Sequence, residues 1–464
     1  MAQPSRWLVL VICCTSLLMV GLDTTALNVA LPDIQREMHA SIAGSQWIID
    51  AYTLVLACLL LFSGSLGDRI GRKTVFMTGL ALFASGSLAC SFAPSIGWLV
   101  AFRVLQAVGG SMMNPVAMAI ITNVFPDSRE RAKAIGVWSG TIGVSTAAGP
   151  VVGGYLVDRI GWEAIFWINV PVAIAALVAT ALFVPNSRAA QPRRFDPVGQ
   201  VLAAGLLGLL VFAIIEGPHR GWGSVEVLGS FAGSLACLVG LLKYEARHPE
   251  PLIPLDAFRS APFRGACEIA VLVFAALGGF LFLNTFYLQD VRGSSPMQAG
   301  LQLLPMASAM FVFGPVSGRI VARHGARPAL LIGGVVATVS MLLLVANFHH
   351  HTALLLICAY ALFGAGDGMM NTPITHTAVS GLPASRAGVA SALTGTSRQV
   401  GQCLGVAIVG SIIASHPEAF TSADGFTTPA TIGGLTLAGF CLAALIVSAI
   451  TTRKAVMPKT SERV

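Results

Sequence analysis

Of the ionisable side chains inside or near the ends of long apolar stretches of the sequence, five are best placed to do chemistry: Asp23, Asp50, Arg103, Asp367 and Arg398. A charged side chain surrounded by lipid costs about 3 kcal/mol or more, so its presence there indicates a function. A buried carboxylate can alternate between holding a proton and facing a cation. Arginine keeps its charge, so it acts through its field and its hydrogen bonds. The set therefore predicts coupling between protons and a bound ligand.

The first three of these side chains also have structural interpretations. Asp23 lies near the middle of the first apolar run and could instead cap or pack a helix. Arg103, with Gln106 three residues on along the same helix face, could pair with a loop carbonyl. Asp50 lies close to the start of its run, where we expect water to reach it.

The remaining two lie in the last third of the chain. Asp367 is flanked by glycines in GAGDGMMNTP (364–373), a pattern that suits the wall of a cavity. Arg398 forms a polar helix face with Gln399 and Gln402 that could serve a translocation path. Both residues are therefore candidates for proton coupling or substrate binding.

The elements that must position these residues are fourteen apolar runs. Of the 464 residues, 55% are hydrophobic and 11% are charged, with a mean hydropathy of +0.78, whereas soluble chains carry roughly a quarter charged residues. A helix needs about 20 apolar residues to cross a bilayer, and lipid leaves backbone groups no partner outside their own helix. We therefore predict an all-α integral membrane protein with spans near 7–31, 46–66, 75–93, 97–123, 133–156, 164–184, 198–216, 225–243, 265–289, 298–321, 328–347, 352–377, 387–414 and 430–451. The alternative for 198–216 and 225–243 is a single re-entrant hairpin.

The Lys and Arg residues concentrate on one side of these spans. With both termini placed in the cytoplasm, all but six of the 28 fall in cytoplasmic loops or termini. Arg103 and Arg398 lie within spans, and the outer loops hold only Arg36, Arg159, Arg220 and Arg292. Positive charge marks the cytoplasmic side of membrane proteins. This distribution predicts a multi-pass protein of the cytoplasmic membrane. It also accounts for the net charge of +7, so we expect no nucleic-acid partner.

Two parts of the chain repeat each other at a nearly constant offset. GSLGDRIGRK (64–73) matches GRIVARHGAR (318–327), MMN recurs at 112–114 and 369–371, and RAKAIGVWSGT (131–141) matches RAGVASALTGT (386–396). Duplicated halves place a substrate path between them, and transport proceeds by rocking one half against the other. We predict an N-terminal six-helix bundle, a two-helix insertion with linkers and a C-terminal six-helix bundle over 1–190, 191–260 and 261–464.

Four segments stand in the order of a known set of signature motifs: GLDTTALNVALP (21–32), GDRIGRK (67–73), RVLQAVGGSMMNP (103–115) and GTIGVSTAAGPVVGG (140–154). They resemble the motifs of the major facilitator drug/proton antiporters. The first motif and the fourteen spans point to the fourteen-helix branch of that family. The resemblance covers essentially the whole chain and implies the major facilitator fold, with two six-helix bundles plus two extra helices.

The second and fourth motifs carry structural expectations. In the second, a charge network can lock the state that is closed to the cytoplasm, and its residues are Gly64, Asp68, Arg69, Gly71 and Arg72. Its alternative is a loop whose positive charges only fix topology. The fourth is the family's antiporter motif, implied to form a tight seam against the opposite half by Gly140, Gly149, Pro150, Gly153 and Gly154. Its alternative is ordinary close packing of helices at small residues.

The resemblance and the charges in the membrane imply a proton-coupled antiporter. It would export lipophilic, cationic drugs or toxic compounds across the cytoplasmic membrane by alternating access. The alternatives are a dedicated exporter of one metabolite or antibiotic and, more distantly, a non-transporting membrane sensor or enzyme. The sequence contains no GxxxxGK[ST] loop, so an ion gradient must supply the energy. We expect no enzymatic activity, no cofactor and no metal site, and a monomer whose partners are a small-molecule substrate, protons and the bilayer.

Overall fold

The computed structural model describes residues 6–188, 195–248, 250–383, 386–416 and 423–452. Over these residues the chain is helical and has no strand. It contains fourteen helices long and apolar enough to cross a membrane, which confirms the predicted spans. In chain order they are α1 (Arg6–Glu37), α2 (Ile42–Ile70), α3 (Arg72–Cys90), α4 (Ile96–Val124), α5 (Arg129–Arg159), α6 (Ala164–Phe183), α7 (Pro197–Arg220), α8 (Val225–Glu245), α9 (Ala261–Val291), α10 (Pro296–His324), α11 (Ala326–His350), α12 (Ala353–Ser380), α13 (Gly388–Ala414) and α14 (Gly425–Thr451).

Three of these spans change helical form along their length. α6 divides into Ala164–Trp167 and Asn169–Phe183. α9 ends in a π-helical turn, Tyr287–Val291. α10 divides into Pro296–Gln302 and Leu304–His324, and a short 3₁₀ helix, Leu255–Arg259, precedes α9. Such irregular turns are common where helices serve functional sites.

Polar side chains fix where several helices begin. Ser41 caps α2 through its hydroxyl, and the Asp127 carboxylate accepts a hydrogen bond from the Glu130 backbone N–H at 2.8 Å. Ser295 and Gln298 form a reciprocal capping box at the start of α10. These oxygens satisfy backbone N–H groups that have no partner in the first turn of a helix.

The helix pairings of the first six spans recur among the last six. α1 packs against α5, α2 against α4, and α3 against α4 and α6; in the same way α9 packs against α13, α10 against α12, and α11 against α12 and α14. One close contact also recurs, since Gly79 lies on Gly109 of α4 as Gly333 lies on Gly366 of α12. The division into domains stays a prediction, and residues 189–194 of the predicted linker lie outside the described residues.

The two sets of six helices meet along α2 and α13 and along α5 and α10. The extra helices α7 and α8 are two separate, full-length helices, and the re-entrant hairpin does not form. α7 packs against both α2 and α13, while α8 packs against α7. The insertion therefore lies beside one seam between the halves.

The halves are in contact at one end of the molecule, here called the closed end. There the Gln46 side-chain amide of α2 donates to the Ala407 carbonyl of α13 at 2.9 Å, and the Gln289 amide of α9 donates to the Val29 carbonyl of α1 at 2.7 Å. Both glutamines are buried. The buried amides therefore join the halves through backbone acceptors.

The opposite end, here called the open end, contains glycines that have no neighbour. A Cβ added at Gly136 or Gly140 of α5, or at Gly388 or Gly395 of α13, would meet no described atom within 4 Å. The halves are nevertheless in contact there, because Leu61 of α2 packs against a cluster of the second half that contains Val389. The charge distribution predicts that this end faces the cytoplasm.

Candidate functional site

A fully buried ion pair joins α1 to α4. Arg103 Nη1 lies 2.5 Å from Asp23 Oδ2, and the two side chains are 1% and 0% exposed. The same Nη1 donates to Gln106 Oε1 at 2.7 Å, and Nε donates to the Ile48 carbonyl at 3.2 Å. The guanidinium also lies 4.0 Å from the ring centroid of Tyr52. Arg103 is therefore held by one carboxylate, two neutral acceptors and an aromatic face.

The second carboxylate oxygen of Asp23 is held by two amides. Gln106 Nε2 donates to Asp23 Oδ1 at 2.8 Å, and Asn169 Nδ2 of α6 donates to the same atom at 2.9 Å. Both amides also contact the Ser87 hydroxyl of α3, at 3.3 and 3.1 Å. Four helices of the first half thus converge on one carboxylate, and a buried polar network of this kind is stable only while its members stay paired.

Close helix packing brings these side chains together. A Cβ at Gly86 of α3 would lie 2.6 Å from the Gln106 backbone nitrogen, so the α3–α4 contact requires glycine there. Asn169 was not among the sequence candidates. The available signal was an amide within the otherwise apolar run 164–184, but nothing in the sequence connects it to Asp23.

Asp50 lies at the seam between α2 and α13. It is fully buried, so the expectation that water would reach it is wrong. The cause is the opposite half, because the Cys403 thiol of α13 lies beside its carboxylate together with the Thr53 hydroxyl of α2. Among the described residues neither carboxylate oxygen has a hydrogen-bond partner in good geometry. Asp50 is thus a sealed, weakly compensated acid between the halves.

Asp367 and Arg398 lie together in the second half, but they do not form an ion pair within 4.0 Å over the described residues. Asp367 is 2% exposed, and both its oxygens lack a hydrogen-bond partner in that part of the chain. Arg398 Nη2 instead donates to the Thr375 hydroxyl at 2.7 Å and to the Asn371 carbonyl at 3.4 Å. Among the described residues of the second half there is therefore no counterpart of the tight Asp23–Arg103 pair.

The loop motif between α2 and α3 contains an ion pair. Arg72 donates to Asp68 Oδ1 through Nη2 at 2.8 Å and through Nε at 3.1 Å. Arg72 also reaches the Ala119 carbonyl of α4 at 3.4 Å, and the Arg69 guanidinium lies 4.3 Å from the Phe195 ring centroid. The motif thereby joins α2, α3, α4 and the residues before α7.

Two glycines of this motif have different surroundings. Gly71 turns the chain between α2 and α3 with φ +118°, a backbone conformation that favours glycine. Gly64 lies within α2, and a Cβ there would only touch Pro115 at 3.7 Å. Gly71 is therefore required by the turn, whereas Gly64 is in ordinary contact with α4.

Part of the antiporter motif packs within the first half. A Cβ at Gly149 would lie 1.8 Å from the Thr25 hydroxyl oxygen, and one at Gly153 would lie 2.7 Å from the Ala26 Cβ. Thr25 and Ala26 follow Asp23 on α1. These two glycines therefore set the position of the helix that carries the buried carboxylate.

The rest of the motif divides between the seam and open space. A Cβ at Gly154 would lie 2.4 Å from the Pro296 carbonyl of α10, and the Pro150 carbonyl would lie 2.1 Å from a Cβ at Gly300. These contacts cross to the opposite half. A Cβ at Gly140, in contrast, would meet no described atom within 4 Å. Over residues 149–154 the motif thus contacts α1 and the opposite half in alternation.

Over the described residues no cluster of three or more His, Cys, Asp or Glu is arranged to hold a metal ion.

The described residues thus form a bundle of fourteen membrane-length helices around one fully buried ion pair. Comparison with known proteins gives the family. Residues 13–406 match the family model described as "Major Facilitator Superfamily". The chain belongs to that superfamily. A structure titled as a POT family transporter in complex with a thioalcohol-conjugated peptide has the same fold, with a TM-score of 0.71, 14% identity and coverage of 96% of each chain.

Curated relatives are drug and antibiotic exporters. The tetracenomycin C resistance and export protein of Streptomyces glaucescens is 40% identical over 418 residues, covering 88% of this chain and 76% of the relative. The multidrug resistance protein Stp of Mycobacterium tuberculosis is 37% identical over 400 residues, covering 86% and 74%. The chain is similar to efflux proteins of the cell membrane, which points to a transporter rather than an enzyme.

Proposed function

We propose that this protein exports lipophilic compounds across the cytoplasmic membrane in exchange for protons, by alternating access between the halves 1–190 and 261–464. The observation that carries the proposal is the Asp23–Arg103 pair, a sealed carboxylate held by four helices of one half. The relatives named as efflux and export proteins support the direction of transport.

Protonation of Asp23 is the step that couples the two fluxes. While Asp23 is ionised, it balances the charge of Arg103 and accepts hydrogen bonds from Gln106 and Asn169. A proton on Asp23 leaves Arg103 buried without a counter-charge, which costs several kcal/mol. That cost exceeds the roughly 1–3 kcal/mol typical of coupling between sites. The protonation state of one residue therefore suffices to change which arrangement of α1, α4 and α6 is favoured.

The seam and the loop motif supply the gates. Opening the closed end requires Gln46 and Gln289 to leave their carbonyl acceptors in the opposite half. Closing the open end brings the loop motif, with its Asp68–Arg72 pair, towards the second half. The motif's charge network then stabilises the state that is closed to the cytoplasm, with both termini on that side.

The charge of the substrate depends on which acidic side chains of the protein the substrate can contact. A cationic drug, as the sequence predicts, would have to replace Arg103 as the partner of Asp23. The alternative of a dedicated exporter is favoured by one specific observation, since the relative at 40% identity is named for a single compound, tetracenomycin C. On either alternative the transporter acts as a monomer and needs only substrate, protons and the bilayer.

The test is proton movement driven by substrate in everted membrane vesicles. After a pH gradient is imposed, addition of a transported compound should release protons from vesicles that carry the wild-type protein and not from those that carry Asp23→Asn. Asp33→Asn, on the same helix but in an exposed pair with Arg36, is the matched control and should behave as wild type. Export that is independent of the pH gradient would overturn the antiport proposal.

A further inference from the structure

Arg398 differs from the other four charged residues near mid-membrane because it is half-buried, while Asp23, Asp50, Arg103 and Asp367 are sealed. In this structure the four sealed side chains are not accessible to a compound outside the helix bundle. Of these five side chains, Arg398 is therefore the one that such a compound can contact.

The guanidinium of Arg398 has free hydrogen-bonding capacity. Both hydrogen bonds that it makes to the described residues use Nη2, to Thr375 and Asn371, and Nε is buried without a partner. It forms no ion pair within 4.0 Å in the described part of the chain. The ring of Phe274 lies 5.3 Å from the guanidinium carbon and supports one side of the group. An arginine presents five donors in a planar fork. Over the described residues Nη1 is unused, whereas burial keeps Nε out of reach of a ligand.

Arg398 lies beside an unoccupied part of the α13 surface. A Cβ at Gly395, one turn earlier on α13, would meet no described atom within 4 Å. Phe311 of α10, in the same half, is 58% exposed, and the nearest contact of a Cβ at Gly143 of α5 is with this ring, at 3.8 Å. The second half therefore carries exposed apolar side chains as well as one partly exposed, partly unsatisfied cationic group.

We propose that Arg398 binds an acidic or strongly accepting oxygen of the exported compound, such as a carboxylate, phenolate or enolate on a lipophilic scaffold. This inference rests on the proposed export function and specifies its substrate class. A guanidinium can bind such a group through two parallel hydrogen bonds, which are about twice as strong as neutral ones. The same interaction strengthens where apolar walls exclude water. The scaffold then packs against the aromatic and aliphatic walls.

Two dyes that share a xanthene core but differ in charge test the proposal: fluorescein, an anion, and rhodamine 6G, a cation. Binding of each to purified protein is measured by fluorescence anisotropy for wild type, Arg398→Gln and Arg398→Lys. Arg398→Gln should weaken fluorescein binding at least tenfold and change rhodamine 6G binding less than twofold. Arg398→Lys should be intermediate, because lysine keeps the charge but lacks the planar fork.

Arg247→Gln is the matched control, because it removes an equal charge from an exposed position after α8 and should leave both dyes unaffected. Equal weakening of both dyes by Arg398→Gln, unchanged fluorescein binding, or no fluorescein binding by wild type would each overturn the inference. Transport is measured separately in proteoliposomes with a pH gradient. Fluorescein that binds through Arg398 but is not moved by the gradient would refute the antiport proposal and leave the binding site intact.

Discussion

Replacement of Asp23 by Asn should reduce both the stability of the protein and its proton-driven transport. The substitution keeps one carbonyl oxygen that can still accept from Gln106 and Asn169. It removes the charge 2.5 Å from Arg103 and puts an amide N–H group against a guanidinium donor. Arg103 is 1% exposed, so no water replaces the lost partner.

The size of the effect follows from this burial. Breaking a buried ion pair by removing one partner costs about 3–5 kcal/mol, because the other charge stays behind uncompensated. The control, Asp33→Asn, breaks a pair whose Arg36 side chain is 64% exposed, and exposed pairs contribute about 0–1 kcal/mol. The two variants on α1 should therefore differ clearly in thermal stability.

Stability and transport can be separated with a second substitution. In Asp23→Asn with Arg103→Met the unpaired charge is absent, and replacement of buried pairs by apolar groups is often neutral or stabilising. We expect the double variant to recover most of the lost melting temperature, measured by intrinsic fluorescence of purified protein. Proton-driven export in proteoliposomes should remain absent, since no titratable group is left at the site.

Two results would refute this reasoning. If Asp23→Asn melts like wild type, the pair does not contribute as its burial indicates. If the double variant regains proton-driven export together with stability, Asp23 has only a structural role, and the coupling proton binds elsewhere.

Three further predictions concern the seam and the loops. Gly154→Ala should lower export at least tenfold, because a Cβ would lie 2.4 Å from a carbonyl of α10, whereas Gly140→Ala, which faces open space, should retain wild-type export in the same vesicle assay. Gln46→Leu should destabilise the contact between the halves at the closed end by about 1 kcal/mol for each lost hydrogen bond. Thiol labelling of a cysteine placed at the closed end should then become faster. Unchanged labelling would contradict the proposal that Gln46 holds this end closed. The Arg386 guanidinium hydrogen-bonds Asp256 and holds the pKa of that carboxyl below its usual 3.8. The contact should therefore stabilise fully above pH 3.8 and be lost as the pH falls through the lower folded-state pKa, so Asp256→Asn should lower the melting temperature slightly at pH 7 and not at pH 2.

The fourteen spans and the family could be predicted from the sequence because both depend on local patterns. An apolar run long enough to cross lipid must be helical wherever it packs, since its backbone groups have no other partner. The repeated segments likewise predicted two related sets of six helices, and the structure shows matching helix pairings in the two sets. These features do not depend on how the helices are arranged around one another.

The partners of the charged residues could not be predicted in the same way. Arg103 and Asp23 are 80 positions apart, and Asn169 is 146 positions from Asp23. Their meeting depends on the close packing of α1, α3, α4 and α6, which glycines such as Gly86 permit. The burial of Asp50 could not be predicted from the sequence either, because it depends on contact with α13 of the opposite half.

The sequence by itself thus determined which residues bear charge within the membrane, and the tertiary structure decided what each charge contacts. Asp23 and Arg103 became a sealed pair, Asp50 and Asp367 became sealed acids, and Arg398 was left partly exposed with unused donors. The physical reason is that the energy of a buried charge depends on atoms within a few ångströms. In a helical bundle, those atoms come from helices that are distant in sequence.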